Sequence, residues 1–318
     1  MTDQPIAERK LRIGTRASPL ALKQAEEVRD RLIAAHPALS AAAVELVPIK
    51  TKGDKILDRA LAEVGGKGLF TEEIEQGLLD GSLDLAVHSM KDMPTELPPG
   101  LGITCLLPRE DPRDAWLSPK ADTLADLAAG SLVGTASLRR QAQILSRRPD
   151  LKVAVFRGNV QTRLRKLDDG VADATLLAVA GLKRLGMLGV AQSIFNPDQM
   201  LPAIGQGAIG IESRVDDGPL LTLLSEIHHP ETETCLALER AFLAALDGSC
   251  RTPIAGNARL EGDRLVFAGE ILSSDGAQSF TTTREGPVSD AVAMGRDAGE
   301  ELRARAGPDF WSDLETGF

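Results

Sequence analysis

The 318-residue chain has no tyrosine, and aromatic residues make up only 3% of it. Proteins that grip single-stranded nucleic acid stack bases on aromatic side chains. Duplex binders are basic overall, whereas this chain carries a formal net charge of −10. Both features oppose a nucleic-acid partner. Cysteine is also scarce. Cys105, Cys235 and Cys250 are odd in number and have no CxxC spacing, which argues against a disulfide framework and a zinc cluster. His88 stands alone, and His228 and His229 are adjacent rather than one helical turn apart, so no metal is expected. No uninterrupted apolar run approaches a membrane span. Met1–Lys10 is polar and lacks the apolar core of a secretory signal. The expectation is a cytoplasmic protein with no membrane partner.

What is present is ordinary in bulk, with 43% hydrophobic and 26% charged residues. The length implies two or three domains with enough core to fold without disulfides. The charge is not evenly spread. Ser131–Arg184 holds eleven Lys/Arg against four Asp/Glu, so that window is +7 and the remainder −17. Concentrated positive charge in an acidic chain points to an anionic ligand. Several arginines follow an apolar run and lie beside Gly, Ser or Thr, as in Gly14-Thr15-Arg16, Phe156-Arg157-Gly158 and Gly181-Leu182-Lys183-Arg184. Strand-end loops of this kind are where α/β proteins place ligands.

The pattern predicts strands at 11–15, 44–50, 83–88, 132–135, 152–156 and 174–180. Helices are expected from Ser18 to about Ala35, after Thr71, from Ser137 to about Arg147, over 160–167 and near Leu182. Such alternation argues for parallel sheets. Gly14-Thr15-Arg16-Ala17-Ser18 and Gly134-Thr135-Ala136-Ser137 form a weak internal repeat, which predicts two similar α/β lobes. After about Glu231 the pattern changes to a helix, three strand-like runs (254–260, 264–272, 278–283) and a helix over 289–306, a smaller α+β domain.

Arg16, Arg139, Arg140, Arg157, Arg163 and Arg184 are candidates to line one basic wall, since guanidinium forks match carboxylates and phosphates. Arg147, Arg148, Arg165 and Lys166 read as solvated helix-face charges. In His88-Ser89-Met90-Lys91-Asp92-Met93-Pro94 a carboxylate leaves an apolar strand. Asp92 is open to two readings: a general acid/base or stabiliser of a developing cation, or a surface ion pair or cap. His88 reads as a hydrogen-bonded structural histidine. Cys250 lies in Gly248-Ser249-Cys250-Arg251-Thr252-Pro253, where Arg251 would favour the thiolate. Cys105 and Cys235 sit in apolar segments and read as core. Gly205-Gln206-Gly207-Ala208-Ile209-Gly210 matches GxGxxG, but Ile209–Ile211 reads as extended and the dinucleotide fingerprint needs a helix there. Gly65-Gly66-Lys67-Gly68 lacks the phosphate-loop spacing. With Lys52 and Lys55, Lys67 is a candidate lid residue.

Five motifs in order, Gly14–Ala21, His88–Pro94, Ser137–Gln141, Arg157–Leu164 and Leu201–Gly207, together resemble the porphobilinogen deaminase (hydroxymethylbilane synthase) family. The resemblance implies an α/β protein with two periplasmic-binding-protein-like lobes plus a small α+β C-terminal domain. The implied bounds are 10–107 with 205–226, then 112–202, then 230–318. It implies a dipyrromethane cofactor held through a thioether on Cys250. The implied reaction joins four porphobilinogen units head to tail, releasing ammonia at each addition, and frees hydroxymethylbilane by hydrolysis. On that basis Asp92 would be catalytic, hydrogen-bonding pyrrole N–H groups and stabilising the cationic azafulvene. Ser18, Lys91, Ser137, Arg139, Arg140 and Arg163 would hold cofactor carboxylates, and Arg16, Arg157 and Arg184 the incoming substrate. A monomer fits the family. Glu63 stands where many members have Lys, which puts a cationic role there in doubt. The competing reading is a bilobal anion-binding module without catalysis.

Overall fold

The computed structural model describes residues 10–55, 71–248 and 252–316. In chain order the strands are β1 (Leu11–Arg16), β2 (Val44–Ile49), β3 (Leu85–Ser89), β4 (Leu101–Leu106), β5 (Asp114–Leu117), β6 (Leu132–Gly134), β7 (Lys152–Ala154), β8 (Ala174–Ala178), β9 (Ser193–Ile194), β10 (Ile209–Arg214), β11 (Ile254–Glu261), β12 (Arg264–Leu272) and β13 (Ser279–Pro287). The described residues fall into two compact units. One comprises 10–55, 71–110 and 208–233, the other 111–207, 234–248 and 252–316.

The first unit is a five-stranded sheet of order β2-β1-β3-β10-β4. β1 pairs parallel with β2 and β3, and the returning β10 runs antiparallel between β3 and β4. Leu11 and Ile13 of β1 are fully buried, as a central parallel strand requires. The helix Pro19–Ala35 follows at once. Ser18 takes extended backbone angles and accepts the Ala21 N–H, and Pro19 supplies a preset first turn. Its buried stripe of Ala25, Val28 and Leu32 packs on Leu11, Ile13, Leu85 and Ile211. The opposite sheet face is covered by Ile74 and Leu78 of the helix Glu72–Leu79. Each such fully buried leucine or isoleucine contributes about 1.5–3 kcal/mol of transfer free energy.

The second unit repeats this plan in the order β7-β6-β8-β5-β9. β6 pairs parallel with β7 and β8, and β5 is antiparallel to β8. Here the Ser-capped helix is Leu138–Arg147, with Ser137 accepting from the Arg140 N–H. β1 and β6 hold the same sheet position, so the internal repeat is structural. Gly134 has a local reason of its own: an added Cβ would sit 2.6 Å from the Phe156 ring.

The same unit carries β11-β12-β13, an antiparallel sheet, with the helices Pro230–Ala245 and Ala291–Thr316. Its core centres on Phe242, Phe267, Leu238 and Leu302. Gly256 donates to Pro202 O, and Gln141 Nε2 to Ser274 O, tying this small domain to its lobe. The grouping differs from the expected bounds at Gly205–Gly207. The resemblance groups them with the first lobe, whereas Gly205, Gln206 and Gly207 bond to Glu239, Pro112 and Arg184 within the second unit.

Candidate functional site

In the first unit the candidate residues gather at the ends of β1 and β3. Arg16 closes β1, and Ser18 caps the next helix. The cap uses an oxygen lone pair and leaves the Ser18 O–H as a donor beside a positive helix end. β3 ends in a single 3-10 turn, Met90–Asp92, which places half-buried Lys91 and Asp92 side by side. Asp92 Oδ2 lies 3.9 Å from Arg16 Nη1, a loose pair with the carboxylate 38% exposed. The corner is braced from below. Met90 N donates to Ala208 O, and Gln24 Nε2 donates to Ser89 Oγ at 2.8 Å. His88 Nε2 lies 3.0 Å from Oε2 of fully buried Glu212, the structural role read for it from the sequence. Glu75 is buried nearby; burial pushes its carboxyl up, and the Glu212 carboxylate adds to that.

In the second unit the two adjacent arginines converge on one acid. Arg139 Nη2 donates to Asp114 Oδ2 and Arg140 Nη2 to Asp114 Oδ1, each at 2.7 Å. Arg139 Nη1 also donates to Leu201 O, and Arg140 Nη1 to Leu176 O. Both arginines are 5% exposed and Asp114 is fully buried. Burial alone would raise the Asp114 carboxyl. The two guanidinium charges, with hydrogen bonds from Arg140 and Gln206, outweigh it and hold the group well below the carboxylate range. Burial draws Arg139 down and Asp114 opposes it, and a guanidinium stays protonated in either case. The arginine pair exceeds Asp114 by one charge, and the buried Glu270 carboxylate also acts on Arg139. The Nε of each arginine is buried with no hydrogen-bond partner among the described residues. A carboxylate is the chemistry that fits this remainder.

Of the remaining arginines, Arg157 lies in the loop after β7, whereas Arg163 departs from the strand-end expectation within the helix Val160–Asp168 and Arg184 closes the helix Val179–Arg184. Arg157 is buried; Arg163 Nε donates to Gly158 O, and Arg184 Nη1 to Gly207 O at 3.2 Å. Ser137, like Ser18, is a helix cap. Of the four charges read as solvated, Arg147 and Arg165 are exposed. Arg148 and Lys166 depart from that reading. Arg148 caps the carbonyls of Leu124, Ala125 and Leu127 and pairs with Asp150. Lys166 donates to Arg157 O and lies over the Phe156 ring.

Cys250, Arg251, Glu63 and Lys67 lie outside the described residues. Cys105 and Cys235 are buried, and burial pushes the Cys105 thiol up to about 12, aided by the Glu233 charge. Lys52 is exposed and paired with Glu72. The segment Ala208–Gly210 leads into β10 rather than a helix, as expected from its extended pattern. Asp114 and Glu212 were not singled out by sequence, and Gln206 entered only as part of the Leu201–Gly207 motif. Asp114 opens a four-residue strand, and its partners lie 25, 26 and 92 residues away.

Residues 11–222 match the family model described as "Porphobilinogen deaminase, dipyromethane cofactor binding domain", and 233–304 match "Porphobilinogen deaminase, C-terminal domain". The chain is similar to "Porphobilinogen deaminase" of Paracoccus denitrificans (strain Pd 1222), 58% identical over 314 residues, 98% of this chain and 100% of that protein. "Porphobilinogen deaminase" of Nitrobacter hamburgensis is 59% identical over 300 residues, 94% of this chain and 95% of that one. "Porphobilinogen deaminase, chloroplastic" of Oryza sativa subsp. japonica is 56% identical over 309 residues, 96% and 86% of the two chains. Among solved structures, an ABC transporter periplasmic substrate-binding protein from Coxiella burnetii is 15% identical, covering 70% of this chain and 94% of that one at a TM-score of 0.42.

Proposed function

The chain belongs to the porphobilinogen deaminase family, and from that premise we propose how its own residues carry the reaction. The enzyme is a transferase of porphyrin biosynthesis. It condenses four porphobilinogen units with loss of ammonia and releases hydroxymethylbilane by hydrolysis. Each pyrrole bears an acetate and a propionate, so the growing chain is a polyanion at neutral pH. The observation that carries the assignment of residues is the arginine pair held on Asp114, with two buried Nε–H donors that lack a partner among the described residues.

The dipyrromethane supplies the primer to which units are added. Its attachment is assigned to a thioether on Cys250. Arg139, Arg140, Arg163, Lys91, Ser18 and Ser137 are assigned to its carboxylates, the serines as O–H donors at helix starts. Arg16, Arg157 and Arg184 are assigned to the carboxylates of the incoming porphobilinogen. Asp92 is assigned the catalytic role. Its loose, half-exposed pair with Arg16 leaves carboxylate lone pairs for pyrrole N–H groups. A fixed negative charge there stabilises the positive charge that develops on the substrate ring as its C–N bond to ammonia breaks. The reading extends to a cytoplasmic monomer with neither nucleic acid nor membrane as partner, and to Lys67 as a lid residue. No helix among the described residues is long and apolar enough to cross a membrane.

Intact mass of the chain made in cells that synthesise porphobilinogen tests the core of this. The expected result is an adduct of two pyrrole units, absent from Cys250→Ser. An unmodified wild-type chain would overturn it.

A further inference from the structure

The Gly205-Gln206-Gly207 turn has no dinucleotide role, yet it is among the most constrained in the second unit. Gly205 and Gly207 both have positive φ, 71° and 90°, where a side chain would be strained. Glu239, fully buried on the helix Pro230–Ala245, accepts the Gly205 N–H at 2.7 Å. Between the glycines, Gln206 is 1% exposed. Its Nε2 donates to Pro112 O at 2.7 Å and to Asp114 Oδ1 at 2.9 Å. Asp114 is thereby engaged through both oxygens: Oδ1 takes Arg140 and Gln206, and Oδ2 takes Arg139.

We propose that Gln206 and Asp114 are positioning residues that set the Arg139–Arg140 pair to receive a carboxylate. The inference rests on the reading of those arginines as cofactor holders. Each guanidinium is pinned at both terminal nitrogens, one on Asp114 and the other on a main-chain carbonyl. That fixes the guanidinium groups and leaves each with a buried Nε–H that has no partner among the described residues and a second hydrogen on each terminal nitrogen. Gln206 completes the hold on Asp114 with a neutral donor. A carboxylate at 206 would add negative charge beside Asp114, and an ammonium would add positive charge. The amide secures geometry without altering the charge that selects an anion, the separation of roles that supporting residues serve in preorganised sites. The same turn presents the Gly207 carbonyl to Arg184, so one backbone feature is shared by a proposed cofactor group and a proposed substrate group.

The test uses full-length Gln206→Glu and Gln206→Leu made in cells that synthesise porphobilinogen. Three readouts are taken: melting, the fraction carrying the two-pyrrole adduct, and kcat and KM of the loaded fraction. A lost hydrogen bond to a charged group weakens binding by about tenfold or more, so loading is expected to fall on that scale. Gln206→Glu, which keeps the volume but adds a negative charge, should lose more loading than Gln206→Leu. A merely structural role gives the opposite order, or loading that falls only with the folded fraction, and either result overturns the proposal. Full loading with wild-type kinetics in both variants does the same. Should one variant yield no folded protein, loading per folded molecule in the other decides. An unmodified wild-type chain in the same experiment would instead defeat the functional reading and this inference with it.

Discussion

Asp92 stands at the end of a buried strand, on a single 3-10 turn, with its nearest paired cation 3.9 Å away. A pair that long and that exposed stabilises the fold by about 0–1 kcal/mol, so the carboxylate is not there to hold the corner together. Gln24, Ser89 and the Met90–Ala208 backbone bond do that instead. Asp92→Asn is therefore expected to fold normally by circular dichroism. Turnover should fall by about 10²–10⁴-fold, the range for a lost general acid or electrostatic stabiliser, with a smaller change in KM. Near-normal turnover would remove the assigned role. At this scale the sequence was informative where chemistry and local pattern coincide, as for Asp92 after an apolar strand or Ser18 before Pro19. It was silent on Asp114 and offered Gln206 only as part of a glycine motif. A lone acid after Pro112-Arg113 reads as a turn residue, and only folding brings it to arginines some 25 residues on.

The strand–serine–helix unit occurs twice, and its serines carry a double assignment. Ser137 accepts from Arg140 N and so closes the first turn of Leu138–Arg147. Ser137→Ala removes that acceptor and should destabilise the protein by about 0.5–2 kcal/mol, read as a lower urea midpoint with unchanged slope. An unchanged midpoint would mean that the cap contributes nothing. Not every predicted cap behaves this way. Thr71 precedes the helix Glu72–Leu79 but makes no side-chain cap bond, and the acids Glu72, Glu73 and Glu75 answer the positive helix end instead. Long periodic elements such as Pro19–Ala35 and β11–β13 were legible because their pattern is local. β5, β9 and the helix Gly218–Ser225 were not. Two- and four-residue strands carry too little alternation to read, and their pairing with β8 and β5 is set by distant chain.

Across the molecule, the +7 window inside a −10 chain resolves into arginines that the fold has already partly neutralised. The pairing has a consequence in acid. Asp114 is held well below the carboxylate range despite burial, by Arg139 and Arg140. Glu301 is drawn from 4.5 to about 2 by hydrogen bonds from Thr282, Arg284 and Arg305. Asp173 is lowered by Lys120 and by the Leu132 N–H. Each binds fewer protons folded than unfolded, so its contribution is complete above the unfolded carboxyl range of about 4 and is lost as pH falls below it. Glu75 has the opposite sign: burial raises its carboxyl, so it gains stability as the pH falls through its folded value. It is one group against several, and among the described residues Asp114 is the lowered carboxyl that is fully buried. The Glu301 and Asp173 pairs are open to water and screened by salt, whereas breaking a buried pair destabilises by about 3–5 kcal/mol. The urea midpoint is therefore expected to be flat between about pH 6 and 8 and to drop steeply below about pH 4. Added salt should soften that drop without abolishing it, because the Asp114 cluster is dry. A midpoint that stayed level to pH 3, or a drop that vanished in high salt, would show that the buried cluster does not set the acid limit.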